Sequence, residues 1–181
     1  MIDKDTKIIQ KDLRDGDNGI SDTIEIMENF AVEYKNDSRV QAIIRDIDAK
    51  LTHTGDDLKY HCERIKNIFN YICSKMTYVS DPDWAELVVS VKHSLFGDMP
   101  YGDCDDLSVA LATLLLGAGY KTAFKTVAWR KSDPNQSFTH VYVVVLAQPE
   151  FWLVLDPTMG TIGYGNEIRE ITRRKEWVIN G

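Results

Sequence analysis

The 181-residue sequence lacks the marks of several protein classes. Its longest apolar run, Val141 to Ala147, is too short to span a bilayer, and no apolar stretch behind residues 1–5 could serve as a signal peptide. Three cysteines, at positions 62, 73 and 104, cannot all pair within the chain and lack the close CxxC spacing of a structural zinc site. We therefore expect a cytoplasmic protein with reduced cysteines, without membrane contact and without a bound metal.

Positive charge is scarce as well. The formal net charge is -7, and apart from residues 173–175 no basic cluster interrupts the acidic balance. Because contacts to phosphate supply most nucleic-acid affinity, we expect no nucleic acid as a partner. The rest of the composition is ordinary for a globular protein, with 44% hydrophobic and 27% charged residues in a length that suits one compact domain. We predict a single domain over residues 1–181.

The first half of the sequence has the periodicity of amphipathic helices. Apolar residues recur at helical spacing in three segments: Ile24, Met27, Ala31 and Tyr34; Val40, Ile43, Ile44 and Ile47; and Leu58, Cys62, Ile65, Phe69, Ile72 and Met76. A turn at residues 16–19, followed by an N-cap at Ser21 or Asp22, would begin the first helix. Between residues 80 and 101 we expect a surface connection with a short helical pattern at Leu87, Val88 and Val91.

An apolar segment from Leu107 to Leu116, ended by Gly117, predicts a central buried helix. After it, β-branched and aromatic residues dominate three segments divided by turn signals, which predicts antiparallel strands over residues 122–130, 137–147 and 151–155. Helices followed by such a meander indicate an α+β domain, in which the buried helix packs across one face of the sheet. The N-terminal helices would occupy about residues 20–78, and the remaining core about residues 80–165.

Cys104 lies just ahead of this buried helix, in the sequence Tyr-Gly-Asp-Cys-Asp-Asp at 101–106. Unpaired backbone N–H groups and the dipole at a helix N-terminus favour the thiolate, which is the reactive form of cysteine. The flanking aspartates oppose ionisation, so we expect Asp105 or Asp106 to cap the helix or fix the loop while pointing away from the sulfur. A calcium loop would also explain these carboxylates, but the Asp-x-Asp-x-Asp-Gly ladder is missing.

His140 and Asp156 stand at the ends of neighbouring predicted strands. The side chain of His140 should face the same way as Tyr142 and Val144, and Asp156 should lie beside the imidazole across the hairpin. Taken singly, each residue has an ordinary interpretation: a buried cysteine, a hydrogen-bonded histidine and a turn aspartate before proline. Their order along the chain instead favours Cys104 as nucleophile, His140 as base and Asp156 as the residue that orients it.

The other cysteines are better explained by packing. Cys62 and Cys73 lie on or beside the apolar stripe of the third predicted helix, so we expect both to be buried and unpaired.

The segment at 101–106, with Cys104, His140 and Asp156 in that order, resembles the transglutaminase-like branch of the papain-like cysteine protease superfamily. The resemblance runs from about Ile65 to Thr158 and includes residues 76–82, which are similar to the stretch before the nucleophile helix in bacterial and phage or prophage members. It implies a papain-like, transglutaminase-like fold, with the same three residues as the catalytic triad.

Papain-like enzymes often use an upstream glutamine as an oxyanion donor, yet no glutamine occurs between Leu51 and Cys104. The backbone N–H of Cys104 is the first candidate to replace it. Tyr78 and Trp84 are the side-chain candidates for substrate or oxyanion contact, and Gly102 and Asp103 are further candidates in the nucleophile loop.

The resemblance implies acyl transfer at amide bonds through a thioester, with a peptide or protein as substrate and no cofactor. Hydrolysis would make the protein a peptidase or amidase, which we favour because bacterial members are commonly peptidases. Transfer to an amine would make it a protein-glutamine transglutaminase, and deamidation is the related alternative. The rival from another class is a non-catalytic phage structural or binding protein that keeps the fold, which would be virion-associated. The sequence leaves the oligomeric state open.

Overall fold

The computed structural model describes residues 8–10, 17–81, 87–98, 100–128, 138–167 and 170–180. Within these ranges the helices are α1 Asp17–Tyr34, α2 Ser38–Asp48, α3 Leu58–Lys75, α4 Val91–Ser94 and α5 Cys104–Gly117. The strands are β1 Ile8–Gln10, β2 Thr77–Tyr78, β3 Leu87–Val89, β4 Tyr101–Gly102, β5 Thr122–Ala128, β6 His140–Gln148, β7 Phe151–Leu155 and β8 Arg173–Val178. The predicted α+β class is confirmed.

Helix α5 is the centre of the molecule. Its side chains from Asp105 to Leu115 are buried, because α1, α2 and α3 pack on one side of it and the large sheet packs on the other. Gly117 ends the helix where α1 approaches closely: a Cβ there would lie 2.6 Å from the carbonyl oxygen of Lys35. The prediction of a central buried helix is therefore confirmed, and its first residue is Cys104.

The large sheet has four antiparallel strands in the order β7-β6-β5-β8. Side chains alternate across β6, so that Val141, Val143 and Val145 join the main core with α5. Tyr142 and Val144 form a smaller cluster on the opposite face. The helix and the second cluster thus lie on opposite faces of the strand that begins with His140.

Several predicted boundaries were wrong. Helix α1 begins at Asp17, so Ser21 and Asp22 lie inside it, because the packing of α1 on α5 extends the helix through Gly19 despite the low helix propensity of glycine. The segment at 87–89 is a strand paired with β1, and Val88 and Val91 are buried, so this stretch is part of the core and not a surface connection.

Strand β8 and the short parallel pair of β2 with β4 were not predicted. Most residues of β8 are charged, as is common for an edge strand, and this composition hides the period-two pattern. Two-residue strands are too short to give any pattern.

The cysteines are unpaired, as predicted, but Cys62 and Cys73 are half-buried and not fully enclosed. None of the helices in the described ranges is both long and apolar enough to cross a membrane.

Candidate active site

His140 and Asp156 form a buried polar contact at one end of the large sheet. Strand β6 begins at His140 and β7 ends one residue before Asp156, and the pairing of Val143 with Leu155 brings the two ends together. The Nε2 atom of His140 lies 2.7 Å from Oδ2 of Asp156. A carboxylate at this distance fixes the orientation and the tautomer of an imidazole.

Asp156 is itself held in place by the turn that follows it. Its second oxygen, Oδ1, accepts hydrogen bonds from the backbone N–H of Thr158 at 3.1 Å and from the hydroxyl of Thr158 at 2.6 Å. The turn closes onto the Asp156 backbone at Gly163, where a Cβ would lie 1.9 Å from the Asp156 carbonyl oxygen. Both carboxylate oxygens are therefore engaged, and the side chain is 1% exposed.

Cys104, at the start of α5, lies against β6 next to His140. The backbone N–H of Val141 lies close enough to the Cys104 sulfur to lower its pKa, and one turn further along α5 the hydroxyl of Ser108 donates to the Val141 carbonyl at 3.3 Å. Helix α5 covers the face of β6 that carries the side chain of Val141. The thiol of Cys104 therefore faces the backbone of Val141, the residue after His140. The three residues singled out from the sequence are thus brought to one end of the sheet.

The electrostatic surroundings keep the thiol of Cys104 protonated. Burial raises the pKa of Cys104 well above its ordinary value, and the negative charges of Asp105 and Asp103 raise it further, while the N–H of Val141 acts in the opposite direction. The expected thiolate at the helix N-terminus is therefore not favoured in this arrangement. Chemistry at this sulfur requires a base that removes its proton.

The aspartates around Cys104 confirm the prediction in part, because Asp106 binds backbone N–H groups as expected, whereas the cap and the orientation of Asp105 differ. Asp103 is the N-cap of α5 and accepts from the backbone N–H of Asp105 at 2.9 Å. Asp105 does not point away from the sulfur, because the thiol donates to its Oδ1 at 3.5 Å. Asp106 fixes the adjacent chain by accepting from the N–H of Val89 at 2.7 Å. The cap thus comes from the residue before Cys104, since helix α5 begins at the cysteine itself.

Gly102 makes room for the buried carboxyl of Asp106. A Cβ on Gly102 would lie 2.3 Å from Oδ2 of Asp106, so this carboxyl occupies the space that a larger residue would fill. Burial raises the pKa of Asp106 to about 8, with a smaller opposing effect from its hydrogen bond to Val89. Asp106 is consequently protonated at neutral pH, and the space over Gly102 is filled by the protein itself.

One group of possible metal ligands occurs in the described part of the chain. Ligand atoms of Asp103, Cys104 and Asp105 lie within 4.8 Å of one another. Calcium and magnesium prefer six or more oxygen ligands, whereas this group offers two carboxylates and one thiol. These three residues alone therefore supply too few oxygen donors for either of those ions.

Exposed aromatic side chains lie close in the chain to Cys104. Tyr78 on β2 pairs with Gly102 on β4, and its side chain is 48% exposed. Tyr101, which was not singled out from the sequence, is 44% exposed two residues before Asp103. Trp84 lies outside the described residues. Of the predicted contact candidates, Tyr78 is thus open to solvent, whereas the side chain of Asp103 forms the N-cap of α5.

A comparison with protein families gives a match over more than half of the chain. The family model of the Transglutaminase-like superfamily matches residues 45–157, a span that contains Cys104, His140 and Asp156. A Cytophaga hutchinsonii protein described as a candidate cysteine protease has a solved structure that aligns with 13% identity and a TM-score of 0.47. The alignment covers 79% of this chain and 49% of that one, so this chain spans about half the length of that protein. A search of curated proteins gives no match.

Proposed function

Because the chain belongs to the transglutaminase-like superfamily, in which cysteine-type acyl transfer is the general chemistry, we propose that it is a cysteine peptidase or amidase. Cys104 is the nucleophile, His140 the general base and Asp156 the residue that orients the histidine. The observation that carries the proposal is the 2.7 Å contact between His140 and Asp156, at the end of the sheet where the thiol of Cys104 lies near the backbone N–H of Val141.

Because the thiol of Cys104 is protonated, the first step is the removal of its proton by His140. Since Nε2 of the imidazole meets Asp156, Nδ1 is the nitrogen that takes the thiol proton as the sulfur attacks the carbonyl carbon of the substrate. The protonated His140 then gives this proton to the departing amine, and a thioester of Cys104 remains. A water molecule deprotonated by His140 attacks the thioester, which releases the carboxylic acid and returns the proton to the sulfur.

Asp156 and the oxyanion donors complete the mechanism. Asp156 keeps the proton of the neutral imidazole on Nε2 and stabilises the imidazolium that forms in both steps. The backbone N–H of Cys104 is the proposed first oxyanion donor, and the hydroxyl of the exposed Tyr78 is the proposed side-chain contribution. The exposed aromatic side chains of Tyr78 and Tyr101, with the apolar side chain of Val79 at 47% exposure, suit an extended peptide that passes over the thiol.

Protein-glutamine transglutaminase and deamidase activities share the thioester and differ only in the acceptor. A peptide library incubated with the protein and a primary amine separates them by mass spectrometry. Hydrolysis of peptide bonds gives new termini, deamidation converts glutamine to glutamate, and amine transfer adds the mass of the amine to glutamine. We expect new termini.

The proposal is tested by the rate at which iodoacetamide labels each cysteine at pH 7. Replacing His140 with Ala should slow the labelling of Cys104 about tenfold or more, because the base is lost. Cys62 and Cys73 are internal references, and Cys73 should react slowly throughout because burial raises its pKa to about 11.

His53→Ala is the matched control, since His53 also contacts a carboxylate, Glu63, at 2.7 Å but lies in an exposed loop. It should leave the labelling of Cys104 unchanged. Equal labelling of Cys104 in the wild type and in His140→Ala would refute the catalytic role and favour the non-catalytic binding or structural protein.

A further inference from the structure

A second polar cluster lies directly behind the histidine, on the face of the sheet opposite α5. The ring of the fully buried Tyr142 lies 5.8 Å from the imidazole of His140. Its hydroxyl donates to Oε1 of Glu167 at 2.6 Å. The same carboxylate oxygen is 2.5 Å from Nζ of Lys125, which stands opposite Tyr142 in the register of β5 and β6.

Lys125 is also close to the aromatic ring itself. Its Nζ lies 6.0 Å from the centroid of Tyr142, and the lysine side chain is 8% exposed. The ring of Tyr142 therefore lies near both a buried cation and the imidazole of His140. Glu167 binds both the cation and the hydroxyl, so it fixes the far end of the tyrosine.

The charges around this pair are mixed. His140 has Asp156 after β7 and Cys104 on α5, with Asp103 and Asp105 beside the sulfur. Glu176 on β8 lies 3.6 Å from Lys125. Arg174, also on β8, pairs with Val127, which pairs in turn with His140, and its positive charge acts to lower the pKa of Tyr142. Glu167 and Glu176 thus offset Lys125 and Arg174, so the face behind His140 carries compensated charges.

Packing alone does not account for a buried lysine at this position, where the side chain of Lys125 is 8% exposed and that of its partner Glu167 is 32% exposed. Taking a charge out of water is costly, and replacing a buried ion pair by apolar side chains of similar volume is often neutral or stabilising, whereas removing one partner leaves a costly unpaired charge. The Lys125–Glu167 pair contacts Tyr142, and the ring of Tyr142 contacts that of His140, so the pair is connected to the candidate active site.

We propose that Tyr142 is a positioning residue for His140, anchored at its hydroxyl by Glu167 and Lys125. The ring limits the rotation of the imidazole, so that Nε2 stays on Asp156 and the histidine keeps the orientation that the proposed mechanism needs. The compensated Lys125–Glu167 pair keeps a net charge from building up behind the histidine. This inference rests on the proposed function of Cys104 and His140.

Substitutions of the ring test the positioning. Tyr142→Leu should slow iodoacetamide labelling of Cys104 at pH 7 about tenfold, because a loosely held base is often misplaced. Tyr142→Phe keeps the ring and should retain at least about a third of the wild-type rate. Tyr120→Phe is the matched control: it removes a buried hydroxyl that contacts His61 at 3.0 Å, away from the site, and should not change this rate.

Charge substitutions give a readout that a merely structural role would not produce. Glu167→Gln leaves extra positive charge near the site, which favours proton loss and should move the midpoint of Cys104 labelling to lower pH by roughly half a unit. Lys125→Met should move the midpoint to higher pH. The double variant should return to the wild-type midpoint, because both charges are then absent.

The outcomes separate this inference from the proposed function. If His140→Ala does not slow the labelling of Cys104, the proposed function fails and the inference fails with it. If His140→Ala slows it but Tyr142→Leu labels normally, or the two charge variants shift the midpoint in the same direction or not at all, only the inference is overturned. Where Tyr142→Leu does not fold, the opposite shifts of the charge variants decide the question.

Discussion

The carboxylate of Asp105 lies against the thiol that we propose as the nucleophile. Its negative charge and its hydrogen bond with the sulfur both raise the pKa of Cys104. Asp105→Asn removes the charge, so the pKa of Cys104 should fall and the midpoint of its labelling should move to lower pH. The measurement is the labelling rate as a function of pH, with Glu25→Gln on the exposed face of α1 as the control. A midpoint that stays in place or rises would contradict this assignment.

At the scale of residues, the sequence was most informative where the chemistry is distinctive. Cys104, His140 and Asp156 were singled out by their order and by their positions at the ends of predicted elements, and the fold brings these ends together. The groups that hold these three side chains in place were not predicted. Thr158 and the N–H of Val141 act through ordinary polar groups that occur throughout any chain, so no sequence signal separates them from their equivalents elsewhere.

At the scale of elements, the first turn of α5 depends on its cap. The side chain of Asp103 accepts the N–H of Asp105, and an N-cap contributes about 1 kcal/mol to stability. Asp103→Ala should lower the free energy of unfolding by about this amount in urea denaturation. Asp103→Ser is the matched variant, because serine caps as well as aspartate does but has no charge. Equal losses in the two variants would show that the charge, and not the cap, stabilises the helix.

The elements that could be predicted are those whose burial gives a period. Helices α2, α3 and α5 and the strands β5 to β7 carry long apolar patterns, and they were found with small errors at their ends. Strand β8 was missed because it is an edge strand of charged residues. Strand β3 was taken for a helix, because three apolar residues fit either period and only its pairing with β1 decides between them.

At the scale of the whole molecule, one buried acid links stability to pH. Asp106 has a pKa of about 8 in the folded chain, where burial has the largest effect, compared with 3.8 without the fold. Between these values the folded chain holds a proton that the unfolded chain has lost, so the contribution of Asp106 to stability falls as pH rises from about 4 to about 8. The total effect is on the order of a few kcal/mol.

Asp106→Asn should remove this dependence. The amide can still accept the N–H of Val89 but does not titrate, so the free energy of unfolding of the variant should change less between pH 5 and pH 8 than that of the wild type. Urea denaturation at both pH values measures the difference. Asp98→Asn, at an exposed position, should keep the wild-type slope. An Asp106→Asn variant with the full wild-type slope would show that another group is responsible.

The attachment of α5 to the backbone of Val141 also has a consequence for how the protein comes into being. The ribosome makes Cys104 before His140, and Asp156 follows only after two further strands of the sheet have been completed. The histidine and the aspartate meet locally across a hairpin, whereas the thiol joins them only when the earlier helix docks onto that hairpin. On the proposed mechanism, the nascent chain therefore carries an inactive thiol until α5 has docked onto the hairpin of β6 and β7.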